Sequence, residues 1–290
     1  MKQPILKVIL TALSLAFISQ VAAPGDNLSV SGTHALGNGR VCAYGKDADI
    51  PSIFGPVYSA PTLVSITAAD TFDIQSFPDK DGGVWTHVLT KGGKQAGTLA
   101  DCILPEVDAL VRTIESRSGT LSFNVGLLPE NQAFRDRVTV SETSVKGFKS
   151  AFRMSVGPGV PFYSAYESPS EYHVAILTKG GSVLESVASD RFSLSLKTSG
   201  KGAVYVVVSD SPEGLERQIL LAESLSPGKA MRMSRLWAKA SRREIPRIRT
   251  GVLSSEDRAD LEKTVRLVSD YVLAQQDEGG GILAGKNYHM

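Results

Sequence analysis

Two cysteines limit what this chain can become more than any other feature. Cys42 and Cys102 are the only cysteines in 290 residues, and they bracket a run of short β-forming segments around Trp85. Their chemistry depends on compartment, and the N-terminus addresses that. Lys2 and Lys7 form a positive start. Val8 to Ile18 is apolar except for Thr11 and Ser14, and Val21-Ala22-Ala23 offers small residues for cleavage. The apolar run falls short of the about 20 residues that cross a bilayer. Residues 1–23 therefore read as a signal peptide, with an uncleaved anchor as the alternative, and the expected location is periplasmic or secreted. In an oxidising compartment two cysteines permit one intramolecular bridge. Closing a loop of about 60 residues would restrain the unfolded chain by roughly 4 kcal/mol. A Cys42–Cys102 disulfide is the expectation, and two free buried thiols are the alternative.

The chain is 42% hydrophobic, enough for two ordinary cores. Its formal net charge of +1 nominates no partner by itself. Residues 24–40 lack periodicity and carry four glycines (Gly25, Gly32, Gly37, Gly39), as a flexible lead-in would. From 41 to 104 the chain alternates short strands with turns. Phe72 and Ile74 share a strand face, and Pro78 to Gly83 is a turn. Val84 to Leu89 is a strand of β-formers, and Lys91-Gly92-Gly93-Lys94 is a hairpin turn.

This segment resembles the bacterial SH3-like domain, a small barrel found in exported proteins. The resemblance rests on Val57, Ser59 and Pro61, then Phe72, then Gly83-Val84-Trp85-Thr86-His87-Val88 and Gly93 to Thr98. Thr98 stands where that family usually has Trp, and the usual Asn-Val-Arg opening is missing. The resemblance implies a barrel that binds peptides or cell-wall material, with Trp85, Tyr58 and Phe72 as the ligand-contacting aromatics.

Residues 105–118 read as a linker helix. Pro105 opens it, and Val107, Leu110, Val111 and Ile114 fall at helical spacing. Residues 120–222 read as a β-sandwich. Phe192, Leu194 and Leu196 alternate with polar residues, Ala203 to Val208 is a continuous run of β-formers, and Lys179-Gly180-Gly181 and Ser199-Gly200-Lys201-Gly202 read as turns. Gly202 to Val208 also resembles the close of the β-sandwich module appended to secreted peptidases. The fold expected is thus mainly β, with a barrel, a sandwich and a helical C-terminal arm.

That arm starts with a basic helix over 229–249. Arg232, Arg235, Lys239 and Arg242 form one stripe, joined by Arg243, and Met233, Leu236, Trp237 and Ala240 form another. The apolar stripe is expected to pack on the sandwich. The basic stripe is a candidate site for an anionic partner such as lipid headgroups or envelope polymer; export makes nucleic acid the least favoured. A second helix over 255–276 follows, capped by Ser254, and residues 277–290 read as a disordered tail.

Catalytic motifs are scarce. Four scattered histidines make a metal cage unexpected. Ser226-Pro227-Gly228-Lys229 has S-x-x-K spacing without the companion motifs, and no G-x-S-x-G occurs. No cofactor or metal is expected. The leading expectation is an exported, non-enzymatic binding or scaffolding component of the cell envelope, whose partner is an envelope protein or wall polymer. The rival is a cell-wall- or peptide-acting enzyme with a site drawn from His87, Asp101 or His173. A third reading is an anionic membrane- or polymer-binding protein.

Overall fold

The run of β-formers Ala203 to Val208, wholly buried, lies at the middle of the molecule. It belongs to strand β14 (Asp190–Ser209), which is flanked on one side by β8 (Ala109–Leu127) and on the other by β13 (Tyr172–Val187). The structure, a computed structural model, describes residues 33–56, 62–129, 136–157, 161–162, 166–167, 171–241 and 254–276. The expected signal peptide, Tyr58, Arg242, Arg243 and the expected tail all lie outside these residues.

The remaining strands are β1 (Thr33–Gly37), β2 (Cys42–Lys46), β3 (Asp49–Phe54), β4 (Val64–Ala68), β5 (Asp73–Pro78), β6 (Val84–Lys91) and β7 (Lys94–Ile103). After β8 come β9 (Val138–Thr143), β10 (Ala151–Val156), β11 (Pro161–Phe162) and β12 (Tyr166–Glu167). Among the described residues, twelve strands form one antiparallel sheet, and β11 pairs with β12 alone. The helices are α1 (Pro212–Glu223), α2 (Pro227–Ser241) and α3 (Ser255–Ala274). The chain is therefore mainly β with helices at its C-terminal end.

The three central strands are long because they bend together. Gly119, Gly180 and Gly200 hold φ of 70°, 67° and 68°, a region that costs other residues strain. The β13–β14 register shifts between Gly180 and Ser182, and the β14–β8 register shifts between Ser199 and Lys201. These are β-bulges, which kink a strand and increase its twist. A Cβ on Gly181 would sit 1.9 Å from the Ser199 carbonyl oxygen, so only glycine permits the close approach there. The glycine pairs read from sequence as turns are therefore corners within continuous strands. Before its corner β8 pairs with β7, from Ile103↔Leu110 to Gly97↔Ser116. After it, β8 pairs with β4, from Ala68↔Phe123 to Val64↔Leu127. Strands that change sheet at a bend are how two packed layers share one hydrogen-bonded sheet.

Residues 105–118, expected as a helix, thus contain the start of β8. Leu110, Val111 and Arg112 are all buried, because this stretch is covered on both faces. A strand buried on both faces loses its alternation, and its apolar positions then fit a helical template as well. The boundary expected between a barrel and a sandwich is occupied by this strand, which bonds to segments from both. Residues 33–37, expected in the flexible lead-in, pair with β2. Residues 212–222, expected in the sandwich, form α1, whose Ser211 side chain accepts from the Gly214 N–H.

Helices α1 and α2 cover one face of the β6–β7–β8–β14–β13 region. Leu215, Ile219, Ala222, Ala230 and Met231 pack against Val84, Cys102, Val111, Leu177 and Tyr205. Lys179 Nζ donates to the carbonyl oxygens of Ala222, Glu223 and Leu225 at 3.2, 3.0 and 3.1 Å, and so caps the C-terminal end of α1. The end of α3 packs on β1 in a smaller cluster of Ala35, Cys42, Tyr44, Phe54 and Ala274.

Cys42 and Cys102 stand in these two different clusters, both fully buried and both free thiols. The expected bridge is not formed. Burial pushes both thiols well above their ordinary pKa, which leaves little thiolate to react. A maleimide reagent applied to the native protein without reductant should therefore modify neither cysteine, and in guanidinium it should modify both. Protein that shows no reactive thiol even after unfolding would restore the disulfide.

Candidate functional site

Side chains alternate across a strand, so the face of β6, β7 and β8 opposite the helices carries Trp85, His87, Asp101 and Arg112. Asp101 lies directly across from Arg112, and Trp85 lies directly across from Asp101. His87 is the diagonal neighbour of Asp101, because its direct partner is Leu99. On the outer side, Ser76 of β5 is the direct partner of His87.

The result is a polar row across four strands. The Ser76 hydroxyl lies 2.9 Å from His87 Nδ1. His87 Nε2 lies 3.3 Å from Asp101 Oδ2, an ion-pair distance with an angle too poor for a good hydrogen bond. Arg112 Nε and Nη2 donate to Asp101 Oδ1 and Oδ2, both at 2.8 Å. Arg112, Asp101 and His87 are all 0% exposed. Burial alone would push the Asp101 carboxyl up, but the Arg112 charge and hydrogen bonds, with help from His87, hold it far below the usual carboxylate range. The guanidinium also lies 5.8 Å from the Phe123 ring centroid.

His34 joins this group from β1. Its ring stacks on Trp85 with centroids 4.6 Å apart and lies 5.2 Å from the His87 ring. Gly45, its partner on β2, makes room: a Cβ there would lie 2.2 Å from His34 Cε1 and Nε2. His34, His87 and Asp101 offer ligand atoms within 4.8 Å of one another, the one such trio among the described residues. Tetrahedral zinc with bonds of about 2.0–2.1 Å needs ligand atoms about 3.3 Å apart, so the trio would have to draw together. The Asp101 charge is already matched by Arg112, and a divalent ion would add two uncompensated charges to a buried place. The row as it stands is better described as a buried carboxylate–guanidinium pair flanked by His87 and Ser76 than as a metal cage.

His87 and Asp101, named from sequence, are thus in contact. His173 is elsewhere, on β13, with the Ser155 hydroxyl 3.0 Å from Nδ1 and Glu171 Oε2 3.1 Å from Nε2. Trp85 is stacked beneath His34 and 9% exposed, so it does not line an open groove. Phe72 lies at the far end of the β5–β6 hairpin, 5.7 Å from Lys91 Nζ. Sequence reading missed Ser76, Arg112 and His34. Arg112 was hidden by the helical template, and no local pattern links His34 to a strand about 50 residues later.

No protein-family model matches the sequence, and no curated protein matches it. Among solved structures, a bacterial glucoamylase complexed with acarbose aligns at 9% identity and TM-score 0.45, over 76% of this chain and 39% of that one. A family GH92 α-mannosidase from Bacteroides thetaiotaomicron aligns at 10% identity and TM-score 0.44, over 88% of this chain and 41% of that one. This chain spans about two fifths of the length of each. Both neighbours are enzymes, and the expectation of a non-enzymatic envelope scaffold is corrected on that finding.

The Asp101–Arg112 pair yields a pH prediction. Unfolded, Asp101 titrates near 3.9. Folded, it stays ionised well below that, so the native state binds fewer protons there, and this contribution to stability is lost as pH falls below about 4. Asp101→Asn should destabilise the protein by about 3–5 kcal/mol at pH 7, because it leaves the Arg112 charge buried and unmatched. Denaturant melts from pH 7 down to pH 3 should show a shallower acid slope for the variant than for the parent.

Proposed function

We propose that the chain is an enzyme acting on peptide or cell-wall polymers, with Ser76, His87 and Asp101 as its chemical centre. The observation that supports this reading is the continuous row from the half-buried Ser76 to the fully buried Arg112. In such a row the Ser76 oxygen attacks a carbonyl carbon while His87 Nδ1 accepts the hydroxyl proton. Asp101 faces the other ring nitrogen, holds the imidazole and offsets the charge it gains. Arg112 keeps Asp101 ionised, so the proton stays on the imidazole. His87 then returns that proton to the leaving amine, and water releases the acyl group from Ser76. The ring nitrogens serve in the reverse sense from the usual Ser–His–Asp arrangement, in which Nε2 meets the serine.

The position of Ser76 favours an extended substrate. Among the described residues β5 pairs with β6 alone, so its outer edge offers backbone groups to which a peptide can add as a further strand. Ser76→Ala should lower turnover of peptide or peptidoglycan-stem substrates by roughly a thousandfold or more, with little change in melting temperature. A fluorophosphonate probe should form an adduct on Ser76 that His87→Gln abolishes. Full activity in Ser76→Ala would overturn the assignment.

A further inference from the structure

We propose that the outward face of α2 docks on an anionic lipid bilayer. The helix buries one side and leaves Leu236 on the other. The side it turns to the sheet carries Ala230, Met231 and Ser234, all almost fully buried, and Ser234 Oγ donates to the Gly83 carbonyl oxygen at 2.7 Å. A Cβ on Gly83 would lie 2.6 Å from the Ser234 carbonyl oxygen, so the helix is seated directly on the β5–β6 turn. Arg235 fastens it there through Asp79 Oδ2 at 2.7 Å.

Leu236 points the other way, and Trp237 sits on the flank between the two sides. Leu236 is 57% exposed and Trp237 37%. Of the stripe expected to pack inward, Met233 packs on the core and Leu236 does not. At 3.6 residues per turn, Lys229, Arg232 and Lys239 share that outward side with Leu236, and all three are exposed. Residues 227–241 contain no Asp or Glu.

A helix showing Leu236 among Lys229, Arg232 and Lys239, with Trp237 on its flank and no acid, matches the requirements of a bilayer interface: acyl boundary for the leucine, phosphate for the cations, and a headgroup-level place for the indole. A nucleic acid would satisfy the cations but not the leucine. The surface is distinct from the Ser76 row, and the two proposals fail independently.

Full-length protein should co-sediment with vesicles containing phosphatidylglycerol and release at least tenfold at high salt. It should bind phosphatidylcholine vesicles only weakly. Trp237 emission should shift to the blue on binding. Leu236→Ser, and separately Arg232→Glu with Lys239→Glu, should each abolish binding and, at exposed positions, leave the melting temperature unchanged. Equal binding to both vesicle types, no binding, or binding untouched by both variants would overturn the proposal. So would a dimer in sedimentation analysis that Leu236→Ser dissolves, since the face would then belong to a second copy.

Discussion

The shared corner of β8, β13 and β14 is the constraint from which the rest of the structure follows. Three strands in register can turn together only if each has a residue free to take a left-handed backbone, and Gly119, Gly180 and Gly200 supply it. The corner lets one strand serve two neighbours in succession, β7 before it and β4 after it. Without it, β1 to β4 and β5 to β7 would not share the central strand β8.

The same arrangement sets the polar row. Because β5, β6, β7 and β8 lie side by side, Ser76, His87, Asp101 and Arg112 meet although they come from four segments. Their contacts are cross-strand neighbours, direct or diagonal, so a one-residue slip in any pairing would turn a member to the helix-covered face. The buried carboxylate is tolerable only because a planar, doubly bonded guanidinium accompanies it. Asp101 and Arg112 thereby tie the chemistry of the row to the integrity of the β7–β8 pairing.

Much of the local structure was legible. The Lys91-Gly92-Gly93-Lys94 hairpin, the alternating Phe192, Leu194 and Leu196, and the Ser254-capped helix are all present, because turn chemistry, period and capping are local properties. The errors have a common cause. A strand buried on both faces hides its period, so β8 read as a helix. A bulge and a turn use the same glycines, so two corners read as hairpins. Helix α2 was legible as a helix but not as to which side faces inward, since the turn at Gly83 and the sheet take Ala230, Met231 and Ser234 and leave Leu236 outside.

Residue order alone determined a mainly β chain with short hairpins, a basic helix, and His87 and Asp101 as the polar groups worth watching. Tertiary structure decided that the strands make one bent sheet, that Cys42 and Cys102 stand in separate cores, and that His34, Ser76 and Arg112 complete the row. The physical reason is separation along the chain. Periodicity and turn preference act over a few residues, whereas register between distant strands is chosen by what the whole sheet can bury.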